Sequence, residues 1–336
     1  MRVSNSAALT IVEPARAVEV IHRVPVLVVG GGPSGLADRV IDCTGDAGVA
    51  HRAGAPTRKT PVEEMQAASV MFHLSGVDKQ AFLAGIRADP ATYADWSAGE
   101  WTVSTSGKED ELFSPSCASR SPRRSRDGVI PADLTTLAGT WGALHDSGEL
   151  TYMNLVHLAG RDGTGPDSMT RFEIEGRRQV LLAIEALRRY TPGCRAARLR
   201  NFGMTIGIRD TRKIDAVYNL TGQDVRGQAR FGDSVGIYPE FIDGYGVLVL
   251  PTTGRYLHIP YRALLPRGVR NLLVAGRAIG GDRIAHAATR NMACCAVTGQ
   301  AAGIAAALSV RTGQPFHDLD TGLIQAELDR QGVRYQ

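Results

Sequence analysis

The chain has 336 residues, 43% hydrophobic and 21% charged, with 38 basic against 34 acidic side chains and a formal charge of +4. That balance excludes a disordered chain, a collagen-like fibre and a small disulfide scaffold, and the length suits about two domains. Only four basic residues are lysine, and the one dense basic run (Arg120, Arg123, Arg124, Arg126) is broken by Ser and Pro as a solvated loop would be, so nucleic acid is not the expected partner.

Residues 1–23 read as a polar lead-in with no signal-peptide apolar run. Val24 to Val29 is a short β-branched run that suits a strand buried in a parallel sheet. It leads into Gly30, Gly31, Gly32, Pro33, Ser34 and Gly35, a G-x-G-x-x-G. After a strand, such glycines permit a tight turn and let backbone N–H groups approach a pyrophosphate. A complete dinucleotide unit continues through a helix to a second strand, with an acidic ribose-binding residue about 20 residues on. Here Val40 to Cys43 already reads as the next strand, and Thr44, Gly45 and Asp46 as a turn. No acid stands near position 55, so the unit lacks its middle.

Ala67 to Leu74 is a candidate strand, and Val77 to Ala88 a short amphipathic helix. Trp96 and Trp101 lie in a polar stretch that suits a cap or lid. Asp133 to Leu144 is expected to be a helix, and Thr170 to Tyr190 is the clearest helix, stopped by Pro192 and Gly193. Val247 to Leu250 and Asn271 to Ala275 read as strands. A small-residue helix runs from Ala287, and a last amphipathic helix covers Leu319 to Gln331. The longest apolar stretch, Ala293 to Val310, sits at the lower limit for spanning a bilayer, and Gln300 near its middle would be costly there. Gly299 and Gly303 have the spacing of a membrane dimer motif, but a buried helix is the preferred reading. The five cysteines, Cys43, Cys117, Cys194, Cys294 and Cys295, are odd in number and form no CxxC, which points away from a metal site and towards the reducing cytoplasm.

Four segments in this order resemble the FAD-dependent oxidoreductases related to the fumarate reductase and succinate dehydrogenase flavoproteins. They are VLVVGGGPSGLA (26–37), VIDCTGDAGVAHRAGAP (40–56), GIRDTRKIDAVYNLTGQDV (207–225) and the stretch from Ile259 to Ser309. The resemblance implies an α/β fold. Its Rossmann-like FAD/NAD(P)-binding domain, 1–57 and 245–336, would be incomplete, with an apparent internal deletion after Ala37. An α+β substrate or cap domain, 58–244, would be inserted into it.

It also implies FAD as cofactor and hydride transfer between a small substrate and flavin N5. Gly30, Gly32 and Gly35 would cradle the pyrophosphate. Thr44, Gly45 and Asp46 would pass beside the ADP half. Gly276 and Arg277 would reach the ribityl chain, although relatives often carry an acid at the Arg277 position. Gly299, Gln300, Ala301 and Gly303 would lie under the isoalloxazine. Arg290, His286 and Arg209 are the candidate catalytic residues: an arginine can hold a carboxylate bidentately, and a histidine can move a proton. Structural roles for each, an ion pair or a hydrogen-bonded core histidine, stay open. His258, Tyr261 and Arg212 are weaker candidates. The substrate would be a small molecule, with a carboxylate favoured. The electron partner and any self-association are open, and no membrane partner is expected. The rival readings are a non-catalytic remnant that no longer binds FAD and an NAD-dependent dehydrogenase.

Overall fold

The computed structural model describes residues 23–29, 36–88, 102–104, 116–118, 138–245, 247–251 and 253–336. β1 (Arg23–Val29) pairs parallel with β2 (Leu36–Asp42), placing Leu27 beside Val40. β15 (Leu272–Val274) pairs parallel on the other side of β2, with Val274 opposite Asp42. A parallel pair ordinarily uses a crossover of a dozen or more residues, most often helical. Here residues 30–35 alone lie between the strands, and β2 starts four residues earlier than the sequence suggests, at Leu36. Leu36 and Ala37 are therefore strand, where a complete nucleotide-binding unit would have helix.

α6 (Met292–Thr312) packs across β1 and β2. Its buried positions include Cys294, Thr298, Ala301, Ala302, Ala305 and Ser309. Small side chains there let the helix backbone come close to the strands. Among the described residues α6 is the one helix long and apolar enough to cross a membrane, and half of that apolar window is buried within the protein. Gly313, at φ 72°, ends it in the left-handed conformation that glycine adopts freely. α7 (Thr321–Arg330) lies against it.

The helix expected from Ala287 onward is in fact two. α5 (Arg283–Thr289) is capped by the Asp282 carboxylate, which accepts from the Ala285 N–H. It ends at Arg290, because extended Asn291 turns its own side-chain amide back onto the carbonyls of Ala287 and Ala288.

A second, antiparallel sheet sets β4 (Ala68–Ser75) between its central strand β8 (Leu150–Leu158) and the edge strand β9 (Arg198–Phe202). β7 (Ala138–Thr140) and β6 (Ser116–Ala118) extend it beyond β8. The expected helix over 133–144 is contradicted, since its described part contains β7; Gly139 and β-branched Thr140 are poor helix formers. Residues 133–137, Trp96 and Trp101 lie outside the described residues. α3 (Pro166–Tyr190) covers one face through Phe172, Val180, Ala183, Ile184 and Leu187. Gly176 faces Val70 so closely that any side chain would collide with it. A mid-helix glycine costs about 1 kcal/mol against alanine, offset here by the close approach of helix to sheet.

The remaining elements join the two sheets. α1 (Gly48–Arg52) follows β2, and α2 (Lys79–Ala88) follows β4. β3 (Thr57–Lys59) pairs with β10 (Arg212–Ile214), and α4 (Gly222–Arg226) is held by a Thr221–Asp224 capping box. β11 (Ser234–Pro239) pairs with β14 (Tyr256–Pro260). β12 (Ile242–Gly244) and β13 (Val247–Val249) form a hairpin to which β5 (Thr102–Ser104) adds a parallel strand. One buried cluster, with Ile41, Leu257, Ile259, Leu273 and Ala301, lies around α6. Another, with Phe72, Phe82, Leu155 and Phe172, lies under α3.

Candidate functional site

Two arginine-centred sites occupy the inner parts of the molecule. The first is at the carboxyl ends of β2 and β15, where open parallel sheets bind ligands. Buried Asp42 builds it. Its carboxylate accepts from the Thr44 N–H and hydroxyl at 2.9 and 2.7 Å, and from the Val49 and Ala50 N–H groups at 3.0 and 2.9 Å. This folds the Thr44–Gly45–Asp46 turn and seats the start of α1. Asp46 accepts from Arg277 Nη2 at 2.8 Å and from the Thr211 hydroxyl, and its carbonyl accepts from Arg212. The Arg277 guanidinium lies over Gly45, at φ 80°, where a side chain would run into it. Gly276, at φ 83°, donates its N–H to Thr298 Oγ1 at 3.0 Å.

Thr44, Gly45, Asp46, Gly276 and Arg277 are thus brought together. The predicted stretch on α6 is not. Gly299 and Gly303 face open space, Gln300 donates to Gln331, and Ala301 is buried in the core. Thr298 and Cys295 are the α6 residues that meet Gly276. At 100° per residue Gln300 points some 200° away from Thr298, a turn that motif matching does not see. Gly30 to Gly35 lie outside the described residues.

The second site lies where α5 and β12 meet the antiparallel sheet. Arg209 donates to Ser69 Oγ and Asn154 Oδ1 and contacts His157 Nδ1, each at 3.3 Å. Among the described residues no carboxylate pairs with it. Burial first, and then the charge of Arg290, push its pKa down to about 10, so it remains a cation at neutral pH. Arg290 donates Nη2 to the carbonyl and carboxylate of Asp243 at 2.5 and 3.0 Å, while its buried Nε has no partner among the described residues. Gln66 Nε2, packed on Gly244, is also buried and unpartnered.

His286, 2% exposed, donates Nε2–H to the Arg209 carbonyl at 3.0 Å. A carbonyl only accepts, which assigns the proton to Nε2 and leaves Nδ1 with a bare lone pair that meets no partner among the described residues. Nε2 also comes within 3.6 Å of Asp210. This approach is not an ion pair at neutral pH, because burial and the Lys213 charge press the imidazole pKa down. Asp210 instead pairs with Lys213 at 2.5 Å and accepts from Thr60 and Tyr245. Burial raises its carboxyl, but the Lys213 charge and the bonds from Lys213 and Tyr245 outweigh that and leave it below the usual range.

Arg209, His286 and Arg290 therefore meet as the sequence suggests. Asp210, Lys213, Tyr245, Asp243 and Gln66 were not singled out. The Asp–Lys i,i+3 spacing within RDTRK was the one available signal. His258 and Tyr261 have other partners, the Phe231 N–H and the Phe316 carbonyl.

A family model described as FAD dependent oxidoreductase matches residues 36–328. The chain belongs to that family. No curated protein and no solved structure matches it. Membership gives this oxidoreductase FAD as its cofactor and favours neither an NAD-dependent dehydrogenase nor a non-catalytic remnant.

The first site fits part of that group. Arg277 keeps a buried Nε without a partner among the described residues, and Gly45 and Gly276 leave backbone uncovered by side chains of their own, which suits phosphate or ribityl oxygens. Among the described residues no free acid serves the adenosine ribose. Asp42 is an acid at the end of β2, but its two oxygens already take four donors from its own turn.

Proposed function

We propose that the oxidoreductase acts on a small anionic substrate, most simply a carboxylate, held by Arg209 and Arg290 beside His286. One observation carries this reading: among the described residues, two neighbouring inward arginines have one paired carboxylate between them, Asp243 on Arg290, next to a neutral imidazole with a bare Nδ1. An excess of buried cationic donors is stabilised by an anion. Arg209 and Arg290 bind and orient that anion. His286 Nδ1 takes or returns a proton, with Nε2 fixed on the Arg209 carbonyl. Asp210 and Lys213 hold the imidazole in place.

FAD, when bound, supplies the two-electron chemistry. Gly45, Asp46, Gly276, Arg277 and Thr298 would hold it. The motif order supports kinship with the fumarate reductase and succinate dehydrogenase flavoproteins. An incomplete Rossmann-like FAD domain, 1–57 and 245–336, around a cap at 58–244 is part of this reading, and its support is the six-residue span between the parallel strands β1 and β2. A reducing cytoplasmic setting accords with Cys43, Cys194, Cys294 and Cys295, none of which forms a disulfide.

The test is the visible spectrum of the purified chain, before and after adding FAD, followed by calorimetric titration with butanoate. Bound flavin and saturable butanoate binding are expected. No uptake of FAD would overturn the flavoenzyme reading, and no butanoate binding would overturn the anion site.

A further inference from the structure

β8 carries two irregularities in its pairing with β4, between the Val70 and Phe72 pairs and between the Phe72 and Leu74 pairs. Each inserts an extra residue into β8, and such bulges re-aim side chains. The result is one sheet face, opposite the side that α3 covers, bearing exposed Tyr152 and half-buried Asn154 and His157 beside buried Ser69 and half-buried His73 of β4, while Met153, Leu155 and Val156 are buried in the core. Arg209 lies on this face, bonded to Ser69 and Asn154.

Tyr152 is the anomaly. Its φ of 54° is left-handed, a conformation that costs a non-glycine residue about 1–2 kcal/mol. Burial does not recover that cost, since the residue is 61% exposed. The ring rests on Gly142, where a Cβ would come within 2.7 Å of it, and His73 flanks it with ring centroids 5.2 Å apart. A strained residue thus presents an open aromatic face, floored by glycine, on the same sheet surface as the anion-binding Arg209. Strain of this kind gathers at binding sites. Tyr152 is two residues from Asn154, about 7 Å along the strand.

We infer that Tyr152 and His73 form a second subsite, and that the substrate is an anion bearing an aromatic ring or similar flat apolar group roughly 7 Å from its charge. This rests on the anion site proposed above. The anionic end engages Arg209 and Arg290, and the flat end stacks on Tyr152.

The experiment compares 4-phenylbutanoate with butanoate on the full-length protein by calorimetric titration, in wild type, Tyr152→Gly and Tyr152→Phe. Wild type is expected to bind the phenyl acid on the order of tenfold more tightly. Tyr152→Phe should keep that preference. Tyr152→Gly should lose it, bind butanoate as wild type does, and unfold at an equal or higher temperature, because glycine adopts φ 54° without strain. Equal wild-type affinities, a preference that survives Tyr152→Gly, or a marked fall in the unfolding temperature of that variant would each overturn the inference. If neither acid binds wild type, the anion site itself fails, a result distinct from butanoate binding without a phenyl preference.

Discussion

Arg277 and Arg209 are both inward-facing arginines, yet their surroundings differ. Arg277 has its carboxylate, Asp46, at 2.8 Å and lies over Gly45 as a bridge between the ends of two parallel strands. Among the described residues, Arg209 bonds the neutral acceptors Ser69, Asn154 and His157, and its nearest charged neighbours include another arginine. A paired cation of this kind holds two turns together. An unpaired one keeps part of its hydrogen-bonding capacity for a ligand, and its depressed pKa records the tension. On the proposed reading, the contrast separates a structural crevice, which a cofactor would share, from a charged site that an anionic substrate would complete.

The largest effect is expected at the pair beneath the second site. Asp210→Asn removes the carboxylate partner of buried Lys213 and should cost about 3–5 kcal/mol, read from denaturant unfolding. A loss below about 1 kcal/mol would show that Lys213 finds another partner or sheds its charge.

The direct test of the contrast is a pair of variants titrated with butanoate. Arg209→Gln should weaken binding roughly 10- to 100-fold, the range of a charge-assisted hydrogen bond, whereas Arg277→Gln should leave it unchanged. Equal losses would erase the distinction between the two sites.

A third outcome concerns pH. His286 is neutral when folded, because burial and Lys213 depress its pKa, and takes a proton near pH 6.5 when unfolded. Its contribution is full above that pH. It is lost as pH falls towards the folded value, because the unfolded state then binds the extra proton. Wild type should lose up to about 1 kcal/mol per pH unit below pH 6.5, and His286→Gln should flatten that slope. An unchanged slope in the variant would assign the titration elsewhere.

The smallest effect belongs to the crevice. Asp46→Asn breaks a half-buried pair with Arg277 and should cost about 1 kcal/mol in unfolding free energy. A cost near that of Asp210→Asn would mean that the crevice is held as tightly as the buried network.

Where periodicity was long and strong, the sequence was legible. The helix over Thr170 to Tyr190 and the strands near Ala67 and Asn271 stand within a few residues of their expected places. The turn at Thr44 to Asp46 and the glycine at 276 also fall where motif and chain order put them. β7 was not legible, because three residues carry no period and their strand exists only through pairing with β6 and β8. β8 was obscured by the bulges that break its alternation.

By itself the sequence determined the family and the chemical kinds at the site, because motifs in order and residue types are local properties. It also named Arg209, His286 and Arg290. Only the tertiary structure decided that these three meet, through the Arg209 carbonyl and the β12 hairpin, that Thr298 rather than Gly299 faces Gly276, and that Tyr152 is turned outward. Those outcomes depend on helix rotation, bulge placement and contacts between residues far apart in the chain, and one-dimensional spacing does not encode them.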